Sequence, residues 1–231
     1  MSSPAGRVVA LAVRPASARD PRVVQAVRAI AGHGLEGDRH ADPRSPRQLL
    51  IAGSNVYEAL APPPLALREN LLLDLDTADL VSGMLLRVGA EVILRLTFQC
   101  EACGALAARV GASSRALRQR RGMLARVETS GEIQVGDPVT VLEARSRFLP
   151  DDWHERAIMV LDAVPPGMVM SYADLARVAG VQSSYCRAFP RALAKLGQER
   201  AARAVPARSP DPAPRWDGAG FFVWRNPGCQ V

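Results

Sequence analysis

The chain has 231 residues, which is enough for one large domain or for two of ordinary size. Apolar residues make up 48% and charged residues 23%, so a buried core is expected, with a charge content typical of soluble proteins. There is no apolar run of about 18 residues and no signal peptide at the N-terminus, which excludes a transmembrane helix and indicates a cytoplasmic protein.

The net charge of +6 permits an anionic partner, but alone it is weak support for nucleic-acid binding. Of the 29 basic residues only Lys195 is a lysine, which looks like a compositional bias rather than a functional one. Without an export signal, the four cysteines are expected to stay reduced. Ligand or catalytic roles are therefore favoured over disulfides.

The N-terminal part predicts a strand and then a helix. Residues 7–13 (RVVALAV) read as a strand, and residues 22–31 place apolar side chains at helical spacing. The glycine-rich sequence that follows contains a polar cluster of Asp38, Arg39 and His40. This cluster is either part of a binding site or a surface loop with a local Asp–Arg pair.

Two more polar segments precede apolar strands. Arg47 leads into residues 49–51, a predicted buried strand, and residues 54–61 form a short helix that three prolines stop. The triplet Arg-Glu-Asn at 68–70 then precedes LLLDL. These side chains could bind an anionic, oxygen-rich ligand, or they could lie in a solvated turn.

The next segment carries two cysteines at C-x-x-C spacing. Residues 91–97 alternate like a half-buried strand, and Cys100 and Cys103 follow where that strand runs into a loop. A thiolate there could bind a metal, attack an electrophile or form a disulfide. A zinc site or a thioredoxin-like pair is less favoured, because no second C-x-x-C lies nearby and the surroundings are rich in strands.

Short strands dominate up to residue 142. Residues 84–88 predict one strand, and residues 121–142 predict two, separated by a Ser-Gly turn. Residues 112–121 are strongly basic and are expected on a solvated helix face. Many short strands with glycine turns indicate a mainly β domain, with a barrel as one form it could take.

The composition changes around residues 144–152, and helices follow. Residues 153–164 and 171–180 have helical spacing, with Ser171 as a cap, and a further helix is expected to run to Gly197. Short helices with a glycine-containing connection suggest a helix-turn-helix. Between Ser171 and Arg208, seven basic residues stand against two acidic ones, which concentrates the positive charge here.

Six segments in order resemble the MOSC family, the domains named for the C-terminal part of molybdenum-cofactor sulfurase. They are GLEGDRH, the Arg-Gln before an apolar strand, REN, the cysteine loop, RGMLARV and VGDPV, within residues 7–142. The resemblance implies a β-barrel-like fold and a pterin-bound molybdenum with a cysteine thiolate ligand. Family members include reductases of N-hydroxylated compounds, among them N-hydroxylated bases.

The resemblance also implies roles for individual residues. Cys103 corresponds to the metal ligand and catalytic thiolate, with Cys100 as the alternative; Ala102 stands where the family has Pro or Arg. The residues matching motifs that line the cofactor pocket are Gly37, Asp38, Arg39, His40, Arg47, Arg68 and Asn70. A thiolate suits molybdenum, and arginines suit a phosphate-bearing pterin.

Residues 153–209 resemble a second family, the DNA-binding domain of O6-alkylguanine-DNA alkyltransferases and their alkyltransferase-like relatives. This resemblance implies a winged helix-turn-helix that binds the minor groove and extrudes a base. The positions implied to contact DNA are Ser171, Tyr172, Arg187 and Arg191.

The second resemblance departs from its family at the reactive site. Where the family has Pro-Cys-His-Arg, this chain has Pro-Ala-Arg-Ser at 206–209, so alkyl transfer to that position is excluded. Pro190 costs ~3 kcal/mol inside a helix unless it lies in the first turn. The recognition helix is therefore predicted to begin near Arg187.

Together these features predict an α+β protein with a MOSC-like β-barrel domain at residues 1–145 and a winged helix-turn-helix at 152–231. The predicted function is a molybdenum-cofactor-binding reductase or sulfur carrier, attached to a DNA-binding domain. The alternative is a non-enzymatic DNA-binding or lesion-sensing protein with a scaffold MOSC domain. The expected partners are a small-molecule or nucleobase substrate and duplex DNA, and no membrane.

Overall fold

The structure is a computed structural model that describes residues 5–18, 20–102, 104–113, 115–117 and 120–223. The chain forms two compact units. The first comprises Met1–Pro43 and Arg47–Leu149, and the second comprises Arg44–Pro46 and Pro150–Val231.

The first unit is built mainly from strands. In chain order they are β1 (Gly6–Val13), β2 (Arg22–Val24), β3 (Ala26–Ile30), β4 (Gly34–Leu35), β5 (Leu49–Gly53), β6 (Leu71–Leu73), β7 (Met84–Val88), β8 (Val92–Gln99), β9 (Met123–Thr129), β10 (Gly131–Gln134) and β11 (Pro138–Arg145). Two helices, α1 (Asn55–Leu60) and α2 (Gly104–Val110), and a 3-10 turn at Thr77–Asp79 complete it.

Seven of these strands close into a barrel. They pair in the order β11-β7-β8-β9-β5-β6-β1, and β11 pairs again with β1. Only β5 and β6 run parallel; the other pairs in this ring are antiparallel. Strand β2 extends the sheet beyond β1, and β10, β3 and β4 form a separate three-stranded sheet. Closure leaves the ring without an unpaired strand edge.

Strand β8, predicted to be half-buried, is buried on both faces over most of its length, since Arg95 and Thr97 are buried as well as its apolar residues. Val92, Leu94 and Leu96 on β8 are fully buried in one cluster with side chains of the other barrel strands. A second apolar cluster lies under α1 and α2 and includes Val56, Leu67 and Leu106. Each such side chain contributes roughly 1.5–3 kcal/mol when it leaves water.

The predicted helix at residues 22–31 is wrong, because β2 and β3 occupy this segment. On β3, Val27 and Ala29 are buried while Ala26 and Arg28 are exposed, which is the two-residue alternation of a strand. Pairing with β1 and β10 supplies the backbone hydrogen bonds. The β-branched valines, also spaced as in a helix, fit a strand better.

Two other local predictions also need correction. The described part of the basic segment 112–121 contains turns rather than a helix, because α2 ends at Val110 and Gly111 has a φ of +70°. Residues 121–142 contain three strands instead of two, since β10 follows β9 after Ser130 and pairs with β3.

The second unit is mainly helical. Its helices are α3 (Trp153–Asp162), α4 (Tyr172–Val178), α5 (Phe189–Leu193) and α6 (Gln198–Ala202), with 3-10 helices at Ser183–Arg187 and Ala194–Leu196. Two short strands, β12 (Met170–Ser171) and β13 (Ala204–Val205), pair in parallel. Phe189, Leu161 and Leu175 lie in the apolar interior of this unit.

Helix boundaries in the second unit follow capping chemistry. Ser171 caps α4, because its Oγ accepts a hydrogen bond from the Asp174 N–H at 3.0 Å. Helix α5 begins at Phe189 with Pro190 in its first turn, so no continuous helix runs from Ser183 through Pro190. Arg187 ends the preceding 3-10 helix, two residues before α5.

The wing of the expected winged helix remains a prediction. Within the described part of the second unit, the strand pairings are parallel and no antiparallel hairpin occurs. The strand-like residues 221–223 begin with a turn at Phe221 and Phe222 instead. None of the described helices is long and apolar enough to cross a membrane.

Candidate functional site

A buried carboxylate, Asp38, organises one side of the candidate site in the first unit. Its Oδ2 accepts hydrogen bonds from the Arg14 backbone N–H at 2.8 Å and from Asn70 Nδ2 at 2.7 Å. Its Oδ1 accepts one from the His40 N–H at 2.8 Å and lies 2.9 Å from His40 Nδ1. One side chain therefore joins three segments distant in sequence.

The hydrogen bonds keep Asp38 ionised despite its burial. Burial alone raises the pKa of this carboxyl, but hydrogen bonds from His40 and Arg14 outweigh it and hold the pKa below its usual value. Because Asp38 engages Nδ1 of His40, Nε2 is the ring nitrogen that remains to exchange a proton.

Arg14 directly follows β1 and is 8% exposed. One terminal nitrogen donates to the Arg68 carbonyl at 3.2 Å, while Nε is buried and has no hydrogen-bond partner among the described residues. Burial and the charge of Arg68 lower the pKa of Arg14, and Asp38 only partly offsets them. A buried N–H without a partner is costly, so this nitrogen is suited to a ligand.

Arg68 has a left-handed backbone, with φ of +60°, which is uncommon for a residue other than glycine. Such conformations cost about 1–3 kcal/mol and cluster at binding sites. Burial comes first among the causes that lower the pKa of Arg68, followed by the charge of Arg109. The charges of Arg121 and Arg39 act in the same direction, so several guanidinium groups converge here.

The thiol of Cys100 lies in this cationic region. Cys100 directly follows β8, is 6% exposed, and its Sγ accepts a hydrogen bond from Arg121 Nε at 3.1 Å. Arg47 approaches the same sulfur at 3.8 Å and lies over the ring of Phe98, 5.9 Å from its centroid. A thiolate accepts such charge-assisted hydrogen bonds more strongly than a thiol does.

A second carboxyl group, Glu69, lies beside the same arginines. It is 2% exposed, and its Oε1 accepts a hydrogen bond from the Tyr57 hydroxyl at 2.5 Å. Burial raises the pKa of Glu69, against the opposing effects of Tyr57, Arg121 and Arg14. Burial also raises the pKa of Tyr57, so the phenol stays protonated at neutral pH.

This arrangement suits an anionic ligand rather than a metal held by the protein alone. Among the described residues, no group of three His, Cys, Asp or Glu side chains is placed to hold a metal ion. Several guanidinium groups and a thiol are present instead. Arginines bind phosphate and carboxylate oxygens with paired N–H groups, and a thiolate binds soft metals.

Residues 48–140 match the family model described as MOSC domain. This part of the chain is a MOSC domain. The match begins at Gln48, beside Arg47, and ends within β11, so it spans Asn70, Cys100 and Arg121. No curated protein matches the chain.

Several solved structures are similar to this chain at low sequence identity. YUAD protein from Bacillus subtilis is 17% identical, covers 59% of this chain and 94% of its own, and has a TM-score of 0.50. A hypothetical protein is 19% identical over 80% of this chain and 88% of its own, with a TM-score of 0.51. YiiM from Geobacillus stearothermophilus is 17% identical over 81% of this chain and 99% of its own, with a TM-score of 0.49. The likeness concerns the fold alone.

The structure brings some of the sequence-predicted residues together at the MOSC site. Asp38, His40 and Asn70 share hydrogen bonds, and Arg68 contacts Arg14 through its carbonyl. Arg47 approaches the sulfur of Cys100. Cys103 lies outside the described residues.

Two predicted pocket residues, Arg39 and Gly37, have local structural contacts. The Arg39 guanidinium donates hydrogen bonds to the carbonyls of Pro15, Ala16 and Ala18, at 3.2, 2.9 and 2.8 Å. The positive charge of Arg39 nevertheless contributes to lowering the pKa of Arg68. Gly37 is exposed in a turn, with φ of +76°.

The site contains residues that the sequence did not single out, namely Arg14, Tyr57 and Arg121. Arg14 directly follows a predicted strand, and Arg121 is the first residue of the segment 121–142, which predicts two strands. A charged residue at the end of a predicted strand is a usable signal, because binding residues often lie on the loops that a rigid sheet positions. Tyr57 gives no such signal, since it looks like one apolar position of a short helix.

The four positions predicted to contact DNA lie near α4 and α5 in the second unit. Ser171 caps α4 and Tyr172 is its first residue, with its ring centroid 6.0 Å from that of Phe189. Arg187 and Arg191 are exposed. Lys195 is also exposed, four residues beyond Arg191.

Proposed function

We propose that the MOSC domain binds a molybdenum cofactor and acts in the cytoplasm as a reductase or sulfur carrier. The observation that carries this proposal is the Cys100 loop at the arginine cluster, where the Cys100 sulfur lies 3.1 Å from Arg121 Nε. A thiol beside convergent guanidinium groups matches an anionic, phosphate-bearing cofactor with a soft metal.

The residues present fit the parts of such a cofactor. The unpartnered Nε of Arg14, together with Arg68 and Arg121, would hold the phosphate group of the pterin. Cys103, three residues beyond Cys100 in the chain, is the proposed thiolate ligand of the metal, with Cys100 as the alternative. When bound, the cofactor supplies two-electron redox chemistry at the metal.

The protein's own side chains position and protonate the ligand. Asp38 holds His40 through Nδ1, so the half-exposed imidazole presents Nε2 for proton exchange. Asn70 is held by Asp38 and by the Ala12 carbonyl, at 2.7 and 3.1 Å, and keeps the loop before β6 in place. The proposed substrates are N-hydroxylated small molecules, including nucleobases, and the redox partner is unassigned.

Metal and pterin analysis of the full-length protein tests this proposal. We expect molybdenum and a pterin in freshly purified wild-type protein, and loss of the metal in Cys103→Ser. Cys100→Ser reports on the alternative ligand. Cys186→Ser, a cysteine in the second unit, is the matched control and should keep the metal. Wild-type protein purified from cells that make the cofactor, yet lacking both components, would contradict the proposal.

We further propose that the second unit binds duplex DNA. The supporting observation is a row of exposed cations in the sequence: Arg187, Arg191 and Lys195 follow one another at four-residue intervals through the helical segments Ser183–Arg187, α5 and Ala194–Leu196. Arg200 and Arg203 contribute less, since they pair with Asp162 and Glu199 at 2.7 and 2.6 Å. Ala207 provides no thiol, so the proposed role is binding or lesion recognition and not alkyl transfer.

Salt-dependent duplex binding tests the second proposal. Each lost phosphate contact should reduce the slope of log K against log salt by roughly 0.9. We expect this change in Arg187→Ala and Arg191→Ala, and no change in Arg28→Ala, which removes the same charge from β3 of the first unit. If DNA binding occurs without molybdenum, the MOSC domain is a scaffold in a non-enzymatic, lesion-sensing protein. Equal slopes in all variants would refute DNA binding through this row.

A further inference from the structure

Glu69 is a deeply buried carboxyl group with only half of its hydrogen-bonding capacity used. Tyr57 donates to Oε1 at 2.5 Å, and Oε2 is buried without a hydrogen-bond partner among the described residues. An ionised carboxylate in this state would leave strong acceptor sites unsatisfied. A neutral carboxyl accepts from Tyr57 and keeps one O–H to donate.

The polar and charged groups around Glu69 come from three parts of the chain. Tyr57 approaches from α1, Arg14 from the end of β1, and Arg121 from the residues before β9. Both arginines act on the pKa of Glu69 through their charge, but neither forms an ion pair with it among the described residues. Arg14 donates to the Arg68 carbonyl, and Arg121 donates to Cys100 and to the Leu67 carbonyl.

Hydrogen bonds connect Glu69 to the cysteine loop. Tyr57 also accepts from the Leu67 N–H at 3.5 Å, and the Leu67 carbonyl accepts from Arg121 at 2.9 Å. Arg121 in turn donates to Cys100. Glu69 and the thiol therefore belong to one network, and the unpartnered Arg14 Nε lies in the same region.

We propose that Glu69 is the acid of this site: its neutral carboxyl, held by Tyr57, gives a proton to the oxygen of an N-hydroxylated substrate. This inference rests on the proposed function of the MOSC domain. The N–O bond breaks with two electrons from an external two-electron reductant. The oxygen leaves as water after taking the Glu69 proton, and a second proton from solvent forms the N–H bond.

After the proton leaves, Arg14 and Arg121 stabilise the carboxylate until solvent returns a proton. This explains why two guanidinium groups stand near Glu69 without pairing with it. A permanent ion pair would keep the carboxyl ionised and remove its acidity. The raised pKa of Glu69 supports the same role.

Infrared difference spectroscopy of the full chain tests the protonation state. We expect a C=O stretch of a protonated carboxyl at pH 7 in the wild type and in Glu58→Gln, an exposed glutamate on α1. The band should be absent in Glu69→Gln and shifted in Tyr57→Phe, which keeps the carboxyl but removes its donor. A wild-type spectrum identical to that of Glu69→Gln would overturn the proposal.

Turnover of an N-hydroxylated base with dithionite as reductant tests the acid role. Because general acid catalysis contributes 10²–10⁴-fold, Glu69→Gln should lower kcat by at least about 100-fold with little change in KM. Its molybdenum and pterin content should equal that of Glu58→Gln. Unchanged kcat at equal cofactor content would overturn the proposal. If wild-type protein holds no cofactor, the proposed function fails, and the infrared band alone decides whether Glu69 is neutral.

Discussion

At the scale of single residues, the site depends on a few buried polar groups with very different surroundings. Hydrogen bonds from Arg14 and His40 hold the pKa of Asp38 below its usual value, while burial raises the pKa of Glu69 against the hydrogen bonds from Tyr57 and its own backbone. Both carboxyls are buried, so burial alone does not distinguish them. Hydrogen bonding outweighs burial at Asp38 but not at Glu69, so the two pKa values move in opposite directions.

Asp38→Asn should destabilise the first unit. The amide keeps the shape but turns an NH2 group towards donors, which leaves buried partners unsatisfied and costs about 1–3 kcal/mol. Urea unfolding should show a lower midpoint with an unchanged slope. Asp79→Asn, an exposed residue in a 3-10 turn, is the control and should stay within about 0.5 kcal/mol of wild type.

The same variant should change how stability depends on pH. The pKa of Asp38 is lowered on folding, so its stabilisation is present above the unfolded value of about 3.9 and is lost as the pH falls through the folded pKa. The acid loss of stability should therefore be shallower in Asp38→Asn than in wild type. Parallel curves below pH 5 would count against this assignment.

At the scale of elements, the site forms where barrel strands meet their loops. Arg14 follows β1, Asn70 precedes β6, Cys100 follows β8, and Arg121 precedes β9. Cys100 donates its backbone N–H to the Gly122 carbonyl at 2.9 Å, which ties the cysteine loop to the residue before β9. The backbone at Gly122 therefore helps to place both Cys100 and Arg121.

Gly122→Ala should strongly destabilise this region. Gly122 has a φ of +107°, and an added Cβ would stand 2.0 Å from the Ile51 carbonyl oxygen. Gly111 also has positive φ, +70°, but among the described residues a Cβ added there would have no atom within 4 Å outside its immediate chain neighbours. Gly111→Ala should therefore cost only the backbone strain of about 1–3 kcal/mol, and Gly122→Ala about 1–3 kcal/mol more.

Denaturant unfolding of the two glycine variants, with soluble yield as a second measurement, checks the difference. Equal stability of Gly111→Ala and Gly122→Ala would show that the close approach to β5 does not constrain this loop.

At the scale of the whole molecule, each of the two units has its own apolar interior. Ile51 is fully buried in the barrel, and Leu161 is fully buried in α3 of the second unit. A domain with its own core is expected to unfold as a cooperative unit.

Calorimetry of single-core variants should therefore resolve two thermal transitions. Ile51→Ala and Leu161→Ala each create a cavity that costs about 2–5 kcal/mol, and each should lower a different transition. A single transition that shifts equally in both variants would show that the units unfold together.

Local sequence patterns predicted most individual elements but misread three segments. The presence of a strand at β8, the Ser171 cap of α4 and the position of Pro190 in the first turn of α5 all follow from short-range chemistry, although β8 is buried on both faces and not on one. The prediction of a helix rather than a strand for residues 22–31 failed because the helical spacing of its apolar residues does not match the buried face: Val27 and Ala29 are buried, whereas Val23 is exposed. Only pairing with β1 and β10 settles which one forms.

By itself, the sequence determined the barrel-type β domain, the helical second half, and the motif residues Asp38, His40, Arg68, Asn70 and Cys100 as candidates. The tertiary structure decided which of them meet. Arg14 reaches Arg68 across 54 residues, and Arg47 reaches Cys100 across 53. Closure of the barrel creates these contacts, because it brings together strand ends that are far apart in the chain. No local sequence pattern predicts which strand ends come together. The hydrogen bond from Tyr57 to Glu69, on which the proposed neutral acid depends, was visible only in the tertiary structure.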